Sequence, residues 1–488
     1  MKARLPWCAL LVPALALVGC TASEEPAAEP AKVPITTSSD EARALYLEGR
    51  DLTEKLRAAD GREQLRAATA LDDGFALAWY GQALSAQSAK EFWDALAKAK
   101  ARADEVSNGE RLMILALDAG ARSDPTSQAR HLGELTAAYP EDERAWNLLG
   151  VYHFGRQEYG EAITAYEKAI ALDPDYSPPY NQLGYARRFM GDLEGAEEAF
   201  EKYIALIPND PNPYDSFAEL LMKTGRFEES ITNYEKALEQ DPHFVASFVG
   251  IGLNQIYLGD PEKARETFAR LGEGARNTGE RRAALFRTAE SWVFEDETEK
   301  ALEAVEAMSA ISKEEGDKAT VAGDLNLMGN ILLEAGQADE ALVHFDEAIA
   351  TSDDSDTPEE ARAAFRRNSL FNTARVALAR GDLDEARSQA EEYARQVAKS
   401  AVPFEQRLSH HLLGLVALAE KDDDTAVNEL QQANPLDPRV QYLLGRAYEG
   451  RGDPDSAREA YRRAAEHNAL NFNYAYVRDD AREKLADG

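Results

Sequence analysis

Along most of the chain, apolar residues recur at three- and four-residue spacing, the signature of amphipathic helices. In the centre, Trp146, Leu149 and Gly150 fall at i, i+3 and i+4, on one face of a first helix. Ala162 and Tyr166 lie four apart on a second. Adding 34 gives Tyr180, Leu183, Gly184, Ala196 and Phe200; adding 34 again gives Tyr214, Phe217, Ala218, Ser230 and Tyr234. A fourth copy holds Phe248, Ile251, Gly252, Ala264 and Phe268. Pro174, Pro208 and Pro242 stop the second helix of each unit, and Gly191, Gly225 and Gly259 mark the turn inside it. Gly150, Gly184 and Gly252 let the paired helix approach closely. Val, Ile and Thr rarely cluster, so no extended sheet is expected. One such hairpin does not bury its own apolar face, so neighbours must stack.

This pattern resembles the tetratricopeptide repeat, W-x2-L-G-x2-Y…A-x3-F…P over 34 residues. The usual aromatic seven after the first position is replaced here by His153, Arg187 and Leu221. The resemblance implies an all-α, right-handed superhelical solenoid of helix-turn-helix hairpins. Weaker copies extend it upstream from Trp79 and Ala83 and downstream through Gly329, Phe345, Gly381, Gly414, Gly445 and Tyr461. About eleven or twelve units are expected. The regular repeats span 143–278, degenerate ones 41–142, and looser ones 279–471. The segment from Gly272 to Arg281 interrupts the rhythm, and 472–488 is expected to be a solvating helix that caps the open end.

The first twenty residues have a different logic. Lys2 and Arg4 precede an apolar run, Leu5 to Val18, too short and proline-interrupted for a membrane span. Leu17-Val18-Gly19-Cys20 then resembles the lipobox of bacterial lipoprotein signal peptides. That likeness implies cleavage of 1–19, a diacylglyceryl group on the Cys20 sulfur, and attachment to the cell envelope, with Thr21 favouring the outer membrane, facing the periplasm. The only other cysteine, Cys8, lies in the leader, so a disulfide does not account for Cys20. Two or more acyl chains hold a protein firmly to a bilayer. Residues 20–40, rich in Ala, Glu, Pro and Ser, read as a disordered tether about 25 Å in mean reach.

Charge narrows the function. The 488 residues carry a formal net charge of −34 and no basic stripe, which excludes nucleic acid as a partner. Catalytic chemistry is equally thin. H-E-x-x-H, G-x-S-x-G and the phosphate-binding G-x-x-x-x-G-K-[ST] are absent. His410 and His411 are adjacent, so a helix points them about 100° apart, not at one metal. The Asp353, Asp354, Asp356 and Asp422 to Asp424 clusters lack calcium-loop order. No cofactor, metal or catalytic residue is expected; the alternatives are a hydrolase with an unrecognised site or a passive spacer.

Binding residues are expected on the concave groove of the repeats. Asn147, Asn181 and Asp215 occupy one repeat position, 34 apart, just after the large apolar residue. Asn offers both donor and acceptor to an extended peptide backbone. By register, Tyr185, Arg188, Phe189, Glu219, Met222 and Lys223 are their neighbours. Val151 and Tyr185 stand where the family's carboxylate clamp needs Asn, so an acidic C-terminal peptide is not the expected ligand. The expectation is an envelope scaffold that binds a protein or extended peptide.

Overall fold

In the computed structural model, residues 31–122, 124–398 and 403–486 are described. Among them are 26 α-helices, one 3-10 turn (Ala103–Glu105) and no strand. The leader and Cys20 lie outside these residues. Helices α1 to α24 pair into twelve hairpins. The first three are α1 (Asp40–Glu54) with α2 (Ala58–Leu71), α3 (Ala76–Leu84) with α4 (Ala89–Ala101), and α5 (Asn108–Ala121) with α6 (Pro125–Ala138). The regular repeats follow as α7 (Glu143–Gly155) with α8 (Tyr159–Leu172), α9 (Pro178–Phe189) with α10 (Leu193–Leu206), α11 (Pro211–Lys223) with α12 (Phe227–Gln240), and α13 (Val245–Tyr257) with α14 (Pro261–Glu273). Longer helices continue the stack: α15 (Thr278–Val293) with α16 (Thr298–Glu315), α17 (Lys318–Glu334) with α18 (Ala338–Asp353), and α19 (Glu359–Arg380) with α20 (Leu383–Val397). The last two hairpins are α21 (Pro403–Glu420) with α22 (Asp423–Leu430) and α23 (Pro438–Arg451) with α24 (Pro454–Ala465).

The fourth, fifth, seventh, ninth, eleventh and twelfth hairpins are each drawn together by a large side chain of the second helix laid against a glycine of the first. A methyl on Gly150 would sit 2.4 Å from the Tyr166 ring, on Gly184 2.6 Å from Phe200, and on Gly252 2.2 Å from Phe268. The looser half repeats the device with Gly329 under Phe345 and Gly445 under Tyr461, both at 2.5 Å. Tyr166, Phe200 and Phe268 are fully buried, as are Ala162, Ala196 and Ala264 one turn earlier. The turn between paired helices is left-handed, with φ of +82° at Gly191 and +87° at Gly259. Gln157 and Lys421 adopt the same geometry without glycine, both at +62°.

The junction between hairpins uses a device that apolar spacing does not reveal. In several hairpins the large residue opening the first helix turns its polar tip back on the preceding loop. Trp146 Nε1 donates to Pro140 O at 3.0 Å, Tyr180 Oη to Pro174 O at 3.1 Å, and Tyr214 Oη to Pro208 O at 3.0 Å. Gln441 Nε2 does the same to Pro435 O at 3.0 Å. The first helices of neighbouring hairpins touch (α7 with α9, α9 with α11, α11 with α13), so these helices line the inside. The stack passes through 272–281 unbroken: Asn277 caps α15, and α14 packs on α15.

Both ends depart from the sequence expectation. Residues 33–38 are not free tether. Val33 N donates to Asp142 Oδ2 at 2.8 Å, Thr36 N to Glu110 Oε1 at 2.8 Å, and Ser38 N to Asp72 Oδ2 at 3.1 Å. Val33 and Ile35 pack into the apolar clusters of the first four hairpins. Composition averaged over the segment hid these two side chains. At the other end only α26 (Arg478–Ala486) caps α24; α25 (Phe472–Ala475) turns inward, and Tyr474 is fully buried. The superhelix also meets itself: Arg407 of the eleventh hairpin donates to Gln157 of the fourth.

The glycine contacts give a direct test. Gly252→Ala forces the Phe268 ring aside and should cost about 1–3 kcal/mol. Gly133→Ala, in α6 with nothing within 4 Å of the added methyl, should instead stabilise by about 0.5–1 kcal/mol. Urea midpoints of the two variants should shift in opposite directions.

Candidate functional site

The first helices of the opening hairpins curl tightly enough to enclose a cavity of about 260 Å³. Its walls come from α1, α3, α5, α7 and α9, with Leu65 of α2, Tyr203 of α10, and Val33 and Ile35 of the anchored N-terminal segment. An ion pair ties the first hairpin to the fourth. Arg144 Nε donates to Glu54 Oε1 at 2.8 Å and Nη2 to Glu54 Oε2 at 3.0 Å. Burial disfavours the Arg144 charge, but this two-pronged pairing outweighs it and holds the guanidinium above its ordinary pKa. The same guanidinium lies 4.6 Å over the Tyr176 ring. Burial pushes the Tyr46 hydroxyl up to about 12, so the tyrosines here are neutral donors at any physiological pH.

The interior is apolar apart from a few convergent groups. Leu65, Leu77, Leu148 and Met113 line it. At the rim Leu56, Leu84 and Val151 are 58%, 48% and 47% exposed, three large aliphatic side chains facing one opening. Asn147 and Asn181 both face this cavity. Asn147 Nδ2 reaches Tyr176 Oη and Asn181 Nδ2 reaches Asn212 Oδ1, each at 3.4 Å. The carbonyl oxygens of both are buried and accept nothing among the described residues, and Asn181 is only 5% exposed. A buried amide oxygen without a donor costs about 1–3 kcal/mol. The site is therefore short of N–H donors that an incoming chain could bring.

The other residues expected in the groove are not free to bind. Asp215 accepts from Ser247 Oγ at 2.8 Å, and burial pushes its carboxyl up to about 7. Glu219 accepts from Tyr185 Oη at 3.0 Å and from Arg188 Nη1 at 2.6 Å, a closed internal set. Phe189 stacks on Tyr159 with ring centroids 4.9 Å apart, filling the seam between the fourth and fifth hairpins. Met222 is fully buried against Tyr474, and the Lys223 ammonium donates to the backbone oxygen of His467. The ladder thus divides: Asn147 and Asn181 stay available, while from Asp215 onward the positions are used by the chain itself.

A second cavity, about 430 Å³, went unnoticed in the sequence. Its polar wall is Asn326 and Asn330 of α17 and Asn368 and Asn372 of α19. Asn372 Nδ2 donates to Asn326 Oδ1 at 2.6 Å, and Arg375 Nη1 to Asn330 Oδ1 at 2.7 Å. The His411 ring is buried there; burial, then the Arg439 and Arg375 charges, push it down to about 3, so it is a neutral imidazole. The 42-residue interval of the two asparagine pairs was the available signal, hidden because the longer helices here stretch the repeat beyond 34 residues.

The repeat architecture agrees with the family models that match the chain. Family models described as tetratricopeptide repeat match residues 143–176, 165–198, 212–244, 369–392 and 438–471. Anaphase-promoting complex subunit 3 of Schizosaccharomyces pombe is 23% identical over 224 residues, 46% of this chain and 32% of that protein, so the chain spans about a third of that relative. Among solved structures, MamA is 21% identical over 33% of this chain and 89% of its own, with a TM-score of 0.30. MamA from Desulfovibrio magneticus RS-1 is 19% identical over 34% of this chain and 94% of its own, at 0.31. PilF of Pseudomonas aeruginosa is 17% identical over 54% of this chain and 95% of its own, at 0.30.

Asp215 supplies a pH test. Its folded pKa of about 7 lies above the ordinary value of 3.8, so its contribution to stability is complete at low pH and is lost as pH rises from about 4 to 7. Asp215→Asn should therefore gain on the natural protein across that window and hold a constant advantage above it. Urea unfolding at pH 5 and pH 8 measures this; an equal difference at both pH values would refute the burial of this carboxyl.

Proposed function

We propose that this chain, which is a tetratricopeptide-repeat protein, is an envelope-anchored scaffold that receives an extended segment of a partner protein in the cavity of its first five hairpins. The observation that carries the reading is the pair of buried, unpartnered oxygens on Asn147 and Asn181 beneath an aliphatic rim. A partner's backbone N–H groups satisfy the oxygens, and an uncharged apolar side chain fills the space between Leu56, Leu84 and Val151. The charges at the cavity, Arg144 and Arg50 against Glu54 and Asp142, balance, which favours an uncharged segment. The chain already binds extended backbone on itself, where carboxylates of the first, third and fourth hairpins take the N–H groups of Ser38, Thr36 and Val33.

The curated relative is by its name a subunit of a complex, in keeping with an assembly role. The envelope part of the proposal rests on Leu17-Val18-Gly19-Cys20. Among the described residues no helix is long and apolar enough to cross a membrane, so attachment falls to acyl chains on Cys20. Nucleic acid has no place in this reading.

Two experiments decide it. In crosslinked envelopes, the double variant Asn147→Ala, Asn181→Ala should lose at least one protein that the natural chain captures, while keeping its helical circular dichroism; an unchanged set of captured proteins rejects the cavity as the site. Cys20→Ser should move the protein from the membrane to the soluble fraction, and continued sedimentation with membranes rejects acylation.

A further inference from the structure

The segment after α24 does something a terminal cap has no need to do. Residues 466–478 leave the end of the stack and cross the turn ends of the first helices of the sixth, seventh and eighth hairpins. Lys223 donates to His467 O, Tyr257 Oη donates to Ala469 O at 2.8 Å, and Arg478 Nη2 donates to Tyr257 O at 3.2 Å. Two aromatic side chains anchor the crossing. Phe472 sits 5.3 Å from the Phe286 ring. Tyr474 is enclosed by Tyr257 at 5.6 Å, Phe294 at 6.4 Å and Met222. These are the contacts of a bound peptide: backbone carbonyls met by side-chain donors, and separated aromatic anchors in pockets. They fall on Met222 and Lys223, the positions where repeat register places the groove.

The segment is also an imperfect occupant. Tyr476 Oη and Arg478 Nε are buried without a partner among the described residues. Asn468 holds a left-handed φ of +38°. Burial, and then the Arg188 charge, lower Lys223 to about 8, and a neutral carbonyl is its one recorded acceptor. Each of these subtracts from what Phe472 and Tyr474 gain by burial. A segment seated with such costs opens more readily than the helices on either side of it.

We propose that residues 466–478 are an internal ligand of this inner surface, and that a partner segment presenting two aromatic residues two positions apart, as the single turn of α25 presents Phe472 and Tyr474, binds there by displacing them. The proposal rests on the reading of the inner face as a protein-binding surface, but it concerns a different stretch from the Asn147–Asn181 cavity. Binding at the two places is thereby separable: the cavity is open, and this seat opens only when the chain's own segment leaves. A partner that holds the seat also detaches the C-terminal end from the middle hairpins, so binding and the closure of the superhelix compete.

The test uses the full chain and a fluorescein-labelled synthetic peptide of residues 466–478. The natural protein should not raise the peptide's anisotropy, because the seat is filled. Phe472→Ala, Tyr474→Ala in the full chain empties it and should bind the peptide. Adding Lys223→Ala and Tyr257→Phe should weaken that binding by about tenfold or more. Absence of peptide binding by the folded double variant overturns the proposal, as does equal binding by the natural protein. Should the double variant not fold, hydrogen exchange on the natural chain decides. Amides of 466–478 should exchange faster than those of α24 and α26, and equal protection marks the segment as permanent core and overturns the proposal. Neither readout depends on Asn147 or Asn181, so failure here leaves the cavity reading standing, and the reverse.

Discussion

The structure depends on one contact, a large side chain of the second helix pressed against a glycine of the first. The rings of Tyr166, Phe200 and Phe268 lie where a methyl on Gly150, Gly184 or Gly252 would have to be. This closeness makes a hairpin thin enough to stack, and it leaves each hairpin with an apolar face that it does not cover alone. Stacking is then obligatory. Because the first helices touch one another along the inside, an inner surface follows from the same contact. No separate instruction is needed for a recognition surface; it is what remains after the glycines have set the packing.

The junctions add direction to this stacking. A tryptophan or tyrosine at the head of a first helix returns its one polar atom to the carbonyl six residues earlier. The loop is thereby fixed at the point where the next hairpin's orientation is decided. Phe248, at the equivalent place, has no such atom, and it begins the last of the regular repeats. In the first five hairpins the resulting curl is tight enough for Arg144 to reach Glu54 across the interior. That bridge turns a trough into a cavity. Farther along, the curl brings the eleventh hairpin onto the fourth.

What the sequence reveals of this is whatever repeats. The 34-residue interval exposes the glycines, the small residues beneath the rings, the prolines and the turns, and each stands in its expected place. Asn147 and Asn181 were legible for the same reason, since a position that recurs on a known helix face has a known direction. Contacts made once leave no period. Val33 meets Asp142 across 109 residues, and Tyr257 meets Ala469 across 212. The Ala-, Glu- and Pro-rich surroundings of Val33 and Ile35 read as tether because an average does not register two apolar side chains with a place to go. Phe472, Tyr474 and Tyr476 were visible as residues but not as an internal segment, since nothing local says that the chain turns inward at Asn468. Met222 and Lys223 meet residues 466–478, and nothing in their pattern announces that occupant.

The two ends of the chain are therefore informative about the surface between them. Both are held through the backbone by side chains of the stacked hairpins. They differ in polarity. The N-terminal segment is held chiefly by N–H groups given to carboxylates, with Ile35 O accepting from Arg43, whereas the C-terminal segment presents carbonyls to Lys223 and Tyr257. An extended chain always carries both kinds of group, so a surface that offers acceptors in one stretch and donors in another selects where each stretch of a ligand sits. Between the two self-occupied stretches lie Asn147 and Asn181, which hold acceptors and have received no donor. In the proposed reading, this unfilled part of the inner surface is the part left for a partner.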